Sequence, residues 1–376
     1  MKTLSIRNIL VPIDFSKLSI QAIETAKGFA QRFGASIHLA HVRQLTYPGG
    51  FMGPVFSAGA LPESFEENRS KELAEQLKIV ASRCGLSARD QTHLRTGAAA
   101  FDEICRLAQE IPADLIVTPT HGRTGLKHVF LGSTAERIVQ HSPCPVFVAR
   151  QKKRKSKTAR VLMPDTILVP VDFSGCSLEG LKYAISFADS VAARLIVFHT
   201  VYLGYAYTAD GFAMYDLVAL EDRARKNAER QMRQFLRAVK FGAVKHETAI
   251  TSGSPVAEIC KFAKARDVDL IITATHGLTG LRHVLIGSIA EQIVRHAPCP
   301  VLVVPSHPMA RAAILARGAE SARKAKREME DKIAQAREPA GLIETEKLTR
   351  KYRKLTTHAF PERRKTNKFR ESHMTR

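Results

Sequence analysis

Residues 118–148 read TPTHGRTGLKHVFLGSTAERIVQHSPCPVFV, and residues 273–303 read TATHGLTGLRHVLIGSIAEQIVRHAPCPVLV. His121 pairs with His276, Gly132 with Gly287 and Cys144 with Cys299, all at one offset of 155 residues. In each copy an apolar run leads through a glycine-punctuated loop into a helical pattern and then a second apolar run. That order reads as strand, loop, helix and strand, and its recurrence makes the chain a tandem of one unit.

The repetition extends upstream. IRNILVPIDFS at 6–16 matches PDTILVPVDFS at 164–174, so Asp14 corresponds to Asp172. A short apolar run ending in Pro-x-Asp-Phe-Ser reads as a buried parallel strand leaving its sheet. Helical spacing follows over 17–33 and 176–192, then strands over 36–42 and 194–201. A Gly/Pro-rich loop at 46–62 stands where the second copy has an aromatic segment, 201–216. Longer helices are predicted at 63–84 and 212–239, shorter ones at 102–109 and 255–265, and further strands at 113–118 and 268–273. Strands alternating with helices imply βαβ units. The predicted fold is therefore α/β: two tandem three-layer domains, each with a five-stranded parallel sheet.

Composition agrees with this division. At 376 residues the chain exceeds a usual single domain, and an apolar share of 45% is ample for packed cores. The net charge is +21, of which 150–160 (RQKKRKSKTAR) supplies seven, and 306–376 supplies ten. The expected boundaries are a domain at 1–150, a basic linker at 151–163, a second domain at 164–305, and a basic tail at 306–376, helical and then disordered. The opening MKTLSIRNILVPID lacks the features of a signal peptide, and no run reaches the ~18 apolar residues of a membrane span. A cytoplasmic protein without membrane association is expected. Six cysteines without a CxxC are expected to be reduced thiols.

In an open parallel sheet, ligands bind beyond the carboxyl ends of the strands, where the strand order reverses. Asp14 and Asp172, His41 and His199, and the Thr-His-Gly loops at 120–122 and 275–277 all fall at such ends. Each loop reaches Gly132-Ser133 or Gly287-Ser288 at a helix start, where free N–H groups and the dipole favour an anion. Neither GxxxxGK[ST] nor GxGxxG occurs, which excludes the P-loop and the dinucleotide fingerprint. Two readings of the serines stay open: STAE and SIAE form capping boxes that only close the helix, or they also contact phosphate. Asp14 and Asp172 either cap the next helices or reach a ribose or a metal. The repeated histidines match no zinc-ligand spacing, so no metal site is assigned. No catalytic constellation stands out.

Together, Pro-x-Asp, the Thr-His-Gly loop, nine residues, Gly-Ser, and Pro-Cys-Pro-Val before the last strand resemble the universal stress protein family. The resemblance covers about 1–150 and 164–305. It implies a stress-response protein that binds ATP through Gly-x-x-Gly-(nine residues)-Gly-Ser/Thr, with Mg2+ and slow hydrolysis left open. Carried across, the phosphate end holds Gly122, Gly132 and Ser133, with Thr120, His121, Arg123 and Thr134 beside them. In the second repeat it holds Gly277, Gly287 and Ser288, with Thr275 and His276. Pro12, Asp14 and Val42, and likewise Pro170, Asp172 and Thr200, match positions lining the adenosine end. The first motif glycine is Pro119 in one copy and Ala274 in the other. Proline removes an N–H and fixes φ, so the second site is expected to be the better one. Family members pair through their last strands, which implies an intramolecular pseudo-dimer across VFVAR and VLVVP, with a homodimer left open. An alternative reading makes the basic linker and tail, with Tyr352, Phe360 and Phe369, a nucleic-acid or ribosome adaptor.

Overall fold

The runs Ile9-Leu10-Val11, Leu115-Ile116-Val117, Ile167-Leu168-Val169 and Leu270-Ile271-Ile272 offer no polar face. In the computed structural model of the chain each is a central strand, buried on both sides. The structure describes residues 4–44, 63–120, 132–150, 163–202, 217–275 and 287–305. All belong to a unit spanning Thr3–Ile314. The loop expected at 46–62, residues 203–216 of the aromatic segment and of the helix expected from 212, the basic stretch 151–162 and the tail 306–376 lie outside the described residues.

The first repeat runs β1 (Asn8–Pro12), α1 (Lys17–Phe33), β2 (Ser36–Gln44), α2 (Glu63–Arg83), β3 (Gln91–Gly97), α3 (Ala100–Glu110), β4 (Leu115–Pro119), α4 (Ser133–His141) and β5 (Val146–Ala149). The second runs β6 (Thr166–Pro170), α5 (Gly175–Val191), β7 (Arg194–Val201), α6 (Leu217–Leu236), β8 (His246–Ser252), α7 (Pro255–Ala265), β9 (Leu270–Ala274), α8 (Ser288–His296) and β10 (Val301–Val304). Both repeats have the predicted α/β class, with strands parallel inside each.

Alternate residues of each strand feed two cores. On one face α1, α2, α5 and α6 bring Phe29, Leu77, Phe187 and Met232. On the other, α3, α4, α7 and α8 bring Leu107, Ile138, Ile259 and Ile293. The strand order is β3-β2-β1-β4-β5-β10-β9-β6-β7-β8, so the two expected five-stranded sheets form one of ten strands. The join is antiparallel, with Val301 opposite Val148 and Leu302 opposite Phe147. Pairing here covers two edges that would otherwise present open N–H and C=O groups.

Side chains cross the join as well. Phe29 of α1 meets Phe147 at 5.0 Å and Phe187 of α5 at 6.1 Å between ring centroids. Arg150 donates to the Val294 and Arg295 carbonyls at 2.9 Å, capping the last turn of α8. Arg295 in turn pairs with Glu136 of α4 at 2.9 Å.

Strands β4 and β9 begin two residues later than the apolar pattern suggests. The cause is local: the Asp114 carboxylate accepts the Arg7 and Asn8 N–H groups, at 2.8 and 3.1 Å. Asp269 does the same for Asp165 and Thr166, at 3.2 and 3.1 Å. These carboxylates anchor the first strand of each repeat before β pairing begins.

Candidate functional site

Strand order reverses between β1 and β4, and again between β6 and β9, because β1 and β6 each send their chain outward before it returns. At the carboxyl ends flanking these points the chain makes the same turn twice. Ile13 N–H donates to Ala40 C=O at 2.7 Å, and Val171 N–H to Phe198 C=O at 2.8 Å. Asp14 Oδ1 then accepts Ser16 N–H at 3.0 Å, and Asp172 Oδ1 accepts Ser174 N–H at 3.0 Å. The helix caps are the serines, which accept from Ser19 N–H at 3.2 Å and Ser177 N–H at 3.1 Å. Of the two readings left open for the aspartates, capping is therefore filled by Ser16 and Ser174, while the aspartates brace the turns that precede the helices.

Between aspartate and serine, Phe15 and Phe173 adopt φ of 62° and 64°. A non-glycine residue there costs about 1–2 kcal/mol. His41 and His199 hold these turns in place. Their Nδ1–H groups donate to the Ile13 carbonyl at 2.7 Å and the Val171 carbonyl at 2.8 Å. The two imidazoles also lie 4.5 and 4.2 Å from the Phe15 and Phe173 rings. Burial lowers the pKa of His199, opposed by the Val171 carbonyl and by Asp172. The doubled Asp-Phe-Ser motif was visible in the sequence, but the left-handed phenylalanine was not.

The other side of each site is the exit from β4 or β9. Gly132 N–H donates to Thr120 C=O at 2.7 Å, and Gly287 N–H to Thr275 C=O at 2.6 Å. These bonds bring together the residues on either side of 121–131 and of 276–286. Gly132 and Gly287 are the N-caps, and neither helix has a side-chain cap. The capping boxes expected at STAE and SIAE are thus corrected. Because the glycine takes the cap position, Ser133 and Ser288 become the first helical residues, one place too late to cap. Glu136 and Glu291 turn instead to Arg295, at 2.9 and 2.8 Å. Ser133, Thr134 and Ser288 are exposed, whereas Thr120 and Thr275 are buried.

The sheet therefore brings Pro12, Asp14, Val42, Thr120, Gly132, Ser133 and Thr134 to one end of the first repeat. Pro170, Asp172, Thr200, Thr275, Gly287 and Ser288 reach the matching end of the second. His121, Gly122, Arg123, His276 and Gly277 lie outside the described residues. Pro119 and Ala274 close their strands opposite Ala149 and Val304, and neither has positive φ. A glycine's freedom is not needed at this position. The two repeats also differ at the end of β7, where Thr200 and its cross-strand neighbour Thr251 bury hydroxyls that have no hydrogen-bond partner among the described residues.

The six cysteines are free thiols, with Cys105, Cys144 and Cys299 buried. Burial, with Cys144 and Asp102 nearby, pushes the Cys105 thiol up to about 12. No group of three or more His, Cys, Asp or Glu suited to a metal occurs among the described residues. No described helix is long and apolar enough to cross a membrane.

The model of the universal stress protein family matches this chain twice, over residues 5–150 and 163–305. The chain belongs to the universal stress protein family. Its two family units stand in tandem, each contributing half of the ten-stranded sheet. The universal stress protein MJ0531 of Methanocaldococcus jannaschii is 31% identical over 138 residues, 37% of this chain and 80% of that protein. MJ0577 of the same organism is 29% identical over 155 residues, 38% of this chain and 96% of that protein. The crystal structure of a universal stress protein from Archaeoglobus fulgidus superposes with a TM-score of 0.53 at 20% identity. It covers 81% of this chain and 98% of its own, and so shares the tandem fold.

Proposed function

We propose that this tandem universal stress protein binds adenine nucleotide, ATP in particular, at the carboxyl ends of its strands, and acts in the cytoplasm as a regulator rather than a catalyst. The observation that carries the reading is the pair of helix starts. Gly132 and Gly287 cap α4 and α8 without a side chain, leaving first-turn N–H groups and the Ser133 and Ser288 hydroxyls for an anion. The capping reading, which would have explained those serines without a ligand, no longer competes. Asp14 and Val42, or Asp172 and Thr200, would face the nucleoside. Any Mg2+ would arrive with the triphosphate.

The domains in this reading are 1–150 and 164–305, with the basic linker 151–163 and tail 306–376 outside the nucleotide sites. The second site is the stronger. Ala274 keeps the backbone N–H that Pro119 lacks, and both residues share the same extended geometry. The test is equilibrium binding of ATP to the full-length protein, with Gly132→Val and Gly287→Val measured separately. A branched side chain at the cap covers the N–H groups, so Gly287→Val should weaken ATP by at least about tenfold, or ~1.4 kcal/mol. Gly132→Val should have the smaller effect. An unmodified protein with no measurable ATP affinity would remove the reading.

A further inference from the structure

The helix α6 carries a line of arginines that the nucleotide sites do not use. Arg223, Lys226, Arg230 and Arg233 are all exposed. At 3.6 residues per turn they fall within about 80° of the helix circumference and along about 15 Å of its axis. Ala228, Met232 and Phe235 are buried on the opposite face. Arg237 continues the line in the turn after α6, where its N–H donates to Gln234 C=O at 3.2 Å. Lys226 is tied to Asp222 at 2.6 Å. Arg223, Arg230, Arg233 and Arg237 have no ion-pair partner among the described residues.

This arrangement is unfavourable for an isolated helix. Lys226 and Arg230 stand four apart, and Arg230 and Arg233 three apart, so like charges are neighbours on one face. The equivalent helix of the first repeat avoids the problem. Residues 63–83 hold four Lys/Arg and five Asp/Glu, against six and three over 217–237. Lys78 pairs with Glu75 at 3.7 Å on that helix. The line therefore belongs to the second repeat and not to the shared fold.

We propose that this face of α6 is a docking surface for the phosphate backbone of nucleic acid. Guanidinium groups match phosphate oxygens in bidentate geometry. Asn227 and Gln234, exposed along one border of the line, are also phosphate hydrogen-bonding types. About 15 Å of duplex axis presents roughly nine phosphate charges to such a line. From Arg223 to Arg237 the arc contains no large apolar side chain to insert into lipid, which separates this face from a membrane-binding helix. The basic stretches 151–163 and 306–376 flank the second repeat in sequence and add to the same attraction.

The experiment is fluorescence anisotropy of a labelled DNA duplex of about 20 base pairs with the full-length protein, between ~50 and ~300 mM salt. The comparison is the triple variant Arg223→Gln, Arg230→Gln, Arg233→Gln, whose substitutions keep helix propensity and whose thermal melt should match the parent. The slope of log affinity against log salt should become shallower by about 2–3 in the variant, near 0.9 for each phosphate that is no longer neutralised. Charge in the linker and tail is the same in both proteins, so it cancels from the difference. Equal slopes, or a parent that does not bind the duplex, would overturn the proposal. So would displacement of the duplex by phosphatidylserine vesicles or polyglutamate at lower total charge, which would reassign the face to a membrane or an acidic protein.

Discussion

His38 and His93 show how one residue can set a solvent dependence. His38 lies on β2 with 6% of its surface exposed, and its Nδ1 is 3.1 Å from Nε2 of His93 on the outer strand β3. Only one proton fits between those nitrogens, and His38 Nε2 is buried with no partner among the described residues. Burial lowers the pKa of His38, opposed by Asp90. Burial also lowers that of His93, helped by His38 and Arg95 and opposed by Glu110. Both folded values lie below the unfolded one, near 6.5, so the unfolded chain binds more protons as the solution acidifies. Stability is full above that value and falls as pH drops from it toward the folded values. The second repeat has Ile196 and Ala249 at the corresponding sites. His38→Ile should therefore flatten the pH dependence of urea unfolding across the range ~7 to ~5. A variant as acid-sensitive as the parent would show that the pair does not couple to folding.

At the scale of elements, the two repeats solve the same geometric problem with different residues. Helix α1 ends at Gly34 with φ of 70°, and α5 ends at Ala192 with φ of 58°. In each case the cap N–H bonds back, to the Ala30 or Ala188 carbonyl. Glycine enters this left-handed conformation freely, while alanine is strained by its Cβ. Gly34→Ala should cost ~1 kcal/mol, and Ala192→Gly should gain a few tenths to ~1 kcal/mol. Chemical denaturation of both variants checks the opposite signs. The contrast at α4 and α8 follows related logic. A glycine N-cap brings no side-chain acceptor to the helix start, and here its N–H bonds to the Thr120 or Thr275 carbonyl.

At the scale of the molecule, the join between β5 and β10 makes the sheets of the two repeats into one. Phe147 sits under it, 6% exposed, against Phe29 and opposite Leu302. Phe147→Ala leaves a cavity shared by both halves and should cost ~3–5 kcal/mol. Calorimetry of the parent should show one transition. In the variant that transition should move down and broaden as the halves uncouple; an unchanged melt would mean that the join contributes little.

Residue spacing alone determined the duplication, the α/β class, most helices and strands, and the end of the sheet that carries the candidate site residues. Those features depend on local periodicity and on motifs that recur at a constant offset, so the information is contiguous in the chain. Tertiary structure decided what depends on partners far apart in sequence. A glycine bonded across its loop to Thr120 or Thr275 moved the helix start by one residue and removed the capping boxes. His41 and His199, which the strand pattern places toward the carboxyl end of the sheet, hold the left-handed turns at Phe15 and Phe173. The antiparallel join made one sheet of two, and burial of the opposite face of α6 in the core turned its line of arginines outward.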